Sequence, residues 1–214
     1  MVLKEMNMNN TALKLVSSND DFKHFQTEEE IRQEFALSAK TSIARKSVSA
    51  PLKQFIAQYP HFIDGSALNY AKGREEHCLD TIAISELAGN CREYDYTFKP
   101  DIDVLKAHFN FVYCGYCVNT LPPAPRMQVW RTLAKLCSEE KGVVVVAARS
   151  NTDRGIKGEP CFDGVRTSKL GTFQIGYHKN QLKQEALEQF EYVEEIGTKG
   201  AYRIVICSHS PIQL

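Results

Sequence analysis

The chain of 214 residues has no run of 18 apolar residues, and its first ten, MVLKEMNMNN, contain no apolar h-region. Neither a membrane-spanning helix nor a secretory leader fits that pattern, so a cytoplasmic protein with no membrane partner is expected. Excess charge is also lacking. The 26 basic and 26 acidic side chains cancel, so any electrostatic footprint has to be local. The seven cysteines are odd in number and scattered, several of them inside apolar runs, which argues for free thiols in a reducing compartment. GxSxG, P-loop and HExxH motifs are absent, and the six histidines do not pair at ligand spacing. Cys114 and Cys117 form a CxxC with no second pair to complete four zinc ligands, so no metal site is expected.

What is present is a core-forming composition, 43% apolar, in two successive patterns. Residues 1–60 read as an N-terminal helical extension. In it, Thr27-Glu28-Glu29-Glu30 forms a capping box before a short helix carrying Ile31, Phe35 and Ala36 on one face. A second helix begins near Ser49, with Pro51 in its first turn and Leu52, Phe55 and Ile56 on one side, and ends before Pro60.

From residue 61 to 214, strands and helices alternate. Strands are expected over 66–71, 92–96, 109–114 and 143–148. Helices are expected over 75–87, with Cys78, Leu79, Ile82 and Leu87 near one face, and over 125–138. Gly89 suits a helix C-cap. About 30 irregular residues follow the strand over 143–148. A helix over 180–189 then leads to two strands, 192–196 and 202–208, whose short link around Gly197-Thr198-Lys199-Gly200 forces an antiparallel hairpin. The expected architecture is a doubly wound α/β domain with a mostly parallel, Rossmann-like sheet and a C-terminal antiparallel hairpin. In such sheets a ligand sits at the carboxyl ends of the strands, where strand order switches.

Four segments are candidates for chemistry. The turn Asn69-Tyr70-Ala71-Lys72-Gly73-Arg74-Glu75 places small residues at alternate positions, as close approach of backbone to a ligand requires; an ordinary strand-to-helix turn reads the same way. Asp95, in Glu93-Tyr94-Asp95-Tyr96, suits a pair of ribose hydroxyls or, equally, a turn cap. Gly115, Tyr116 and Asn119 leave the central strand toward the next helix and are expected to line a pocket. The connection over 149–183 carries seven cations against three acids, interleaved with Phe162, Phe173, Tyr177 and His178. It reads as a nucleic-acid face or as a solvated lid. The smaller basic cluster over 40–53 (Lys40, Arg45, Lys46 and Lys53) carries the same two readings.

Taken in order over residues 41–180, these segments resemble the DNA phosphorothioation-associated methyltransferases and their phage-borne relatives. Thr41–Pro51 resembles that family's opening segment of threonine, basic residues and Ser-x-Pro, and the run from Asn69 to His77 its cofactor turn, usually written DYGCGRGDD. Tyr94–Pro100 resembles its GYDP strand and Gly115–Asn119 its GYVLN segment. Val146–Arg149 is similar to VAAR, Phe162–Thr167 to DGVxT, and Gly171–Gln174 to GTFQ.

The resemblance implies a class I methyltransferase fold with S-adenosylmethionine as cofactor, held by Asn69, Tyr70, Ala71, Gly73, Arg74, Asp95, Tyr96, Gly115 and Tyr116. Asn119, Arg149, Arg166, Lys169, Thr172 and Phe173 are the expected substrate contacts, and no catalytic residue is assigned. The sequence departs from the family pattern with Asn69 for the leading acid, Ala71-Lys72 for Gly-Cys and Glu75 for the third glycine. The expected activity is methyl transfer to nucleic acid or to a target linked to DNA modification. The alternative is a catalytically silent module that binds DNA or a partner protein.

Overall fold

The computed structural model describes residues 27–214; the readings made for residues 1–26 lie outside the described residues. The first helix, α1 (Glu28–Ala39), starts at the expected capping box. The Thr27 hydroxyl accepts the Glu30 N–H at 3.2 Å, and the Glu30 carboxylate accepts the Thr27 N–H at 3.3 Å. Three glutamates in its first turn complement the helix dipole. Its buried face is not the apolar one. Glu34 and Ser38 are buried, whereas Ile31 and Phe35 are half-buried and Ala36 is exposed.

Helix α2 (Ala50–Gln58) follows, with a proline in its first turn where no amide donor is missed. Its Leu52 and Phe55 are fully buried. The alternating part begins with β1 (Ala67–Tyr70), α3 (Leu79–Ala88) and β2 (Cys91–Tyr94), Gly89 capping α3 in the left-handed conformation. It continues through β3 (Phe111–Gly115), α4 (Pro123–Leu136) and β4 (Val143–Arg149).

The connection after β4, expected to be irregular, instead folds into a small antiparallel sheet. Its strands are β5 (Glu159–Cys161), β6 (Gly164–Arg166) and β7 (Phe173–Gln174). Strands of two or three residues carry too little periodicity to be read from sequence. The chain ends with α5 (Gln181–Ala186), shorter than expected, and the hairpin β8 (Tyr192–Ile196) and β9 (Tyr202–Ser208).

The main sheet has the order β2-β1-β3-β4-β9-β8, with β2, β1, β3 and β4 mutually parallel and β9 antiparallel to both neighbours. Both faces are covered, so β4 reads as a continuous apolar run. Val144 and Val146 join Trp130 and Leu133 of α4 in one cluster. Val143 and Val145 join Leu52 and Phe55 of α2 and Ile84 of α3 in the other. The extension therefore packs directly on the sheet.

Strand order switches beside β1: the chain leaves β1 for β2 on one side and returns to β3 on the other. Asn69 is level with Glu93 and Tyr113, and Tyr70 with Tyr94 and Cys114. Ala71, Asp95 and Gly115 consequently emerge side by side at the carboxyl edge.

Candidate functional site

A cavity of about 440 Å³ opens at this edge. Its floor is the loop between β1 and α3. The sequence pattern suggested a helix from residue 75, but α3 starts at Leu79, so the loop runs through residue 78. Ala71 and Gly73 both adopt positive φ, 56° and 82°. The Gly73 N–H donates to Asp95 Oδ2 at 2.9 Å, while Asp95 Oδ1 accepts the N–H groups of Thr97 at 2.9 Å and Phe98 at 3.0 Å. Asp95 is thus a buried turn cap and a cavity wall at once. A side chain at Gly73 would place its Cβ 2.6 Å from Ser42 Oγ, which also accepts the Arg74 N–H at 3.0 Å.

Beneath the loop, Asn69 Nδ2 donates to Thr81 Oγ1 at 2.9 Å, and Thr81 donates on to Glu93 at 2.8 Å. Lys99 Nζ reaches the same carboxylate at 2.8 Å and Lys72 Nζ at 3.8 Å. Burial raises the Glu93 carboxyl, but the hydrogen bonds from Lys99 and Thr81 and the Lys72 charge outweigh it and hold it below its ordinary range. Lys72 also donates to the Glu75 carbonyl, and the Glu75 carboxylate accepts the Arg45 N–H. These tertiary bonds hold residues 72–75 out of a helix.

Residues 38–49 roof the cavity. Ser38 Oγ bonds the Tyr96 hydroxyl at 2.9 Å and Thr120 Oγ1 at 2.5 Å, and the Phe35 ring lies 4.5 Å from that of Tyr96. On the opposite wall, Asp80 Oδ1 accepts the Ser49 N–H at 2.7 Å, and Ser49 Oγ bonds the Tyr113 hydroxyl at 3.0 Å. Burial, and next the Asp80 charge, push that phenol well above its ordinary range. The Arg45 guanidinium lies over the Tyr116 ring at 5.1 Å, and Tyr116 holds φ 59°, rare for a bulky side chain. Beyond it, Arg149 donates to Asp153 at 2.7 Å and to Gln174 at 3.1 Å, and Asn119 Oδ1 accepts the Arg149 N–H at 3.3 Å.

The cavity therefore gathers Asn69, Ala71, Gly73, Asp95, Tyr96, Gly115 and Tyr116 together with Asn119 and Arg149. Tyr70 does not line it; it is buried and stacked on Tyr94 at 5.1 Å. Arg74 is exposed and contributes its N–H rather than its side chain. Four expected substrate contacts also lie elsewhere. Phe173 is fully buried in the core, Thr172 is buried against Thr167 at 2.8 Å, and Lys169 is exposed between β6 and β7. Arg166 is tied to Glu34 of α1 and to the Gly171 carbonyl, so its charge is already engaged.

Ser42, Arg45, Asp80, Tyr113, Asp153 and Gln174 line the cavity without having been proposed for it. Of these, Ser42 and Gln174 fell only within segments that resemble the family, and Arg45 also within a basic cluster read as a nucleic-acid face or a solvated one. Among the described residues, no group of three or more histidine, cysteine or acidic side chains is arranged to hold a metal ion, and no helix is long and apolar enough to cross a membrane.

No protein-family model matches the chain, and no curated protein matches it by sequence. Solved structures do. The DhpI–SAM–HEP complex superposes with a TM-score of 0.54 at 14% identity, over 84% of this chain and 94% of that one. The DhpI–SAH complex does so with a TM-score of 0.54 at 12% identity, over 87% and 100%. The fold is that of the class I methyltransferases. SibL, an S-adenosylmethionine-dependent methyltransferase solved in its apo form, matches with a TM-score of 0.54 at 13% identity, over 76% of this chain and 55% of that one. The cavity of this chain lies at the carboxyl edge where strand order switches, as expected for ligands of doubly wound sheets.

Proposed function

We propose that this chain binds S-adenosylmethionine in the carboxyl-edge cavity and transfers its methyl group to nucleic acid or a DNA-linked target. The observation that carries the reading is the convergence of Asp95, Gly73 and Gly115 on one cavity of about 440 Å³ at the switch point. Ligand pockets of roughly 300–1,000 Å³ are the usual size for cofactors.

The residues present fit the cofactor. Asp95 Oδ2 has one backbone bond and retains a lone pair for a ribose hydroxyl. Tyr96 and Phe98 flank it on the nucleoside side. At Gly115 an added Cβ would meet the Tyr113 ring edge at 2.8 Å, so the backbone stays bare where a ligand crosses β3. When bound, the cofactor supplies an electrophilic methyl on a sulfonium. The protein's task is to hold donor and acceptor in line and keep water out. The roof over residues 38–49 covers one side of the cavity, and Asn119, Arg149 and Asp153 form the wall left for the acceptor.

Two observations support a nucleic-acid target. The motifs over residues 41–180 resemble the DNA phosphorothioation-associated family. Arg154, Lys157, Lys169 and Lys179 are exposed and form no ion pair among the described residues. The test is transfer of radiolabel from methyl-tritiated S-adenosylmethionine to DNA, alongside a mobility shift at rising salt. Salt-sensitive binding with label in the DNA is expected. Label without DNA in the reaction mixture, or none with it, would refute the target class.

A second reading is a silent binding module on the same fold. It is favoured by Glu75, whose charged side chain stands in the cavity wall at the position where the family has glycine. Persistent mobility shift with no cofactor bound would select it.

A further inference from the structure

The turn after β1 lacks the acid that the resembling family carries there, since Asn69 stands in its place. The structure brings another carboxylate to the same spot. Asp80 follows in the first turn of α3, next to Thr81, which accepts the Asn69 amide at 2.9 Å. Asp80 is 8% exposed. Its Oδ1 is committed to the Ser49 N–H, and its Oδ2 has no protein partner. No fully buried side-chain oxygen among the described residues lacks a partner, so Oδ2 opens on the cavity that Asp80 lines. By the same argument, Asn69 Oδ1 opens on it too.

Arg45 supplies the opposite charge. Its side chain lines the cavity and rests on the Tyr116 ring, with no carboxylate within ion-pair distance among the described residues, Asp80 included. An anion and a cation thus face one cavity, near Tyr113, without neutralising each other. A ligand carrying both charges, itself zwitterionic, would complete the two.

We propose that Asp80 and Arg45 bind the amino-acid head of the cofactor, Asp80 Oδ2 and Asn69 Oδ1 accepting from its ammonium and the Arg45 guanidinium donating to its carboxylate. The assignment rests on the cofactor reading above. It follows the track of the ligand across the edge. With the nucleoside over β2 at Asp95, a chain crossing the β1 turn ends at β3, beside Asp80, Tyr113 and Arg45. Asp80 thereby restores the charge assistance that Asn69 cannot give.

The test compares S-adenosylhomocysteine with 5′-methylthioadenosine, the same nucleoside thioether without the zwitterion, by calorimetry on the full chain. Asp80→Asn keeps an oxygen for the Ser49 amide while removing the charge, and Arg45→Gln leaves the backbone bond to Glu75 in place. Each variant is expected to lose about tenfold or more in affinity for S-adenosylhomocysteine, as loss of a charge-assisted bond implies. Methylthioadenosine should bind all three proteins alike. Unchanged S-adenosylhomocysteine affinity in either variant overturns the assignment, as does equal loss for both ligands. Failure of the unaltered protein to bind either ligand overturns the cofactor reading instead, and this one with it.

Discussion

Asp95 accepts the Gly73 N–H at 2.9 Å, fastening the end of β2 to the loop that follows β1. A side chain read from sequence as either a ribose ligand or a turn cap is a turn cap that also lines the cavity. Replacing it therefore disturbs more than a ligand contact. Asp95→Ala strands the three N–H donors of Gly73, Thr97 and Phe98. It should cost about 2–4 kcal/mol, or roughly 5–15 °C in Tm. Asp95→Asn, which keeps one acceptor oxygen, should cost less. Equal melting of Asp95→Ala and the unaltered protein in a calorimetric scan would remove the structural half of this role.

The Glu34 carboxylate and the Arg166 guanidinium join α1 to β6 across 132 positions. Glu34→Gln and Arg166→Gln should each be destabilising, with a double-mutant coupling of about 1–3 kcal/mol for a largely desolvated pair. Both variants should also speed protease cleavage in α1, because that pair helps hold the roof. Additive effects in the cycle would show that α1 is held by its other contacts alone.

Glu93 makes stability pH-dependent, and its sign is fixed by the direction of its shift. Its folded pKa lies below its ordinary value, so its contribution is complete above about pH 4.3 and is lost as pH falls through the folded pKa. Glu93→Gln should therefore be less stable than the unaltered protein at neutral pH, and the gap should narrow in acid. Urea titrations at pH 7 and pH 3 measure it. A gap that widens in acid would mean that the Lys99 and Thr81 bonds do not govern this carboxylate.

Gly73 combines a φ of 82° with a neighbour, Ser42 Oγ, 2.6 Å from where a Cβ would stand. Gly73→Ala should cost about 1–2 kcal/mol from backbone strain, with the Ser42 contact displacing the roof. Gly89→Ala has the same handedness and nothing within 4 Å, so it should show the strain alone. If the two variants unfold at the same urea concentration, the Ser42 contact carries no weight.

Much of the scaffold was legible because its signals are local. The capping box at Thr27, the proline in the first turn of α2 and the short link of the final hairpin each act within a few residues. The apolar run of β4 was readable because both faces of that strand are covered. The site was less so. Scoring α3 by its apolar residues pointed inward at Ile82 and Leu87, which are 44% and 43% exposed. The buried face is Asp80, Thr81 and Ile84, because Thr81 braces Asn69 and Asp80 holds Ser49. Polar residues buried for partners far along the chain leave no periodic trace. The same holds for Arg166, whose partner on α1 makes an expected substrate contact a brace.

The cavity between Asp95 and Tyr116 is the proposed S-adenosylmethionine site. The most direct test is a crystal structure of the full chain grown with S-adenosylhomocysteine at millimolar concentration. The expected result is a ligand whose ribose bonds Asp95 and whose amino-acid end lies beside Tyr116 and Arg45. An empty cavity under those conditions, or a ligand bound elsewhere, would contradict it.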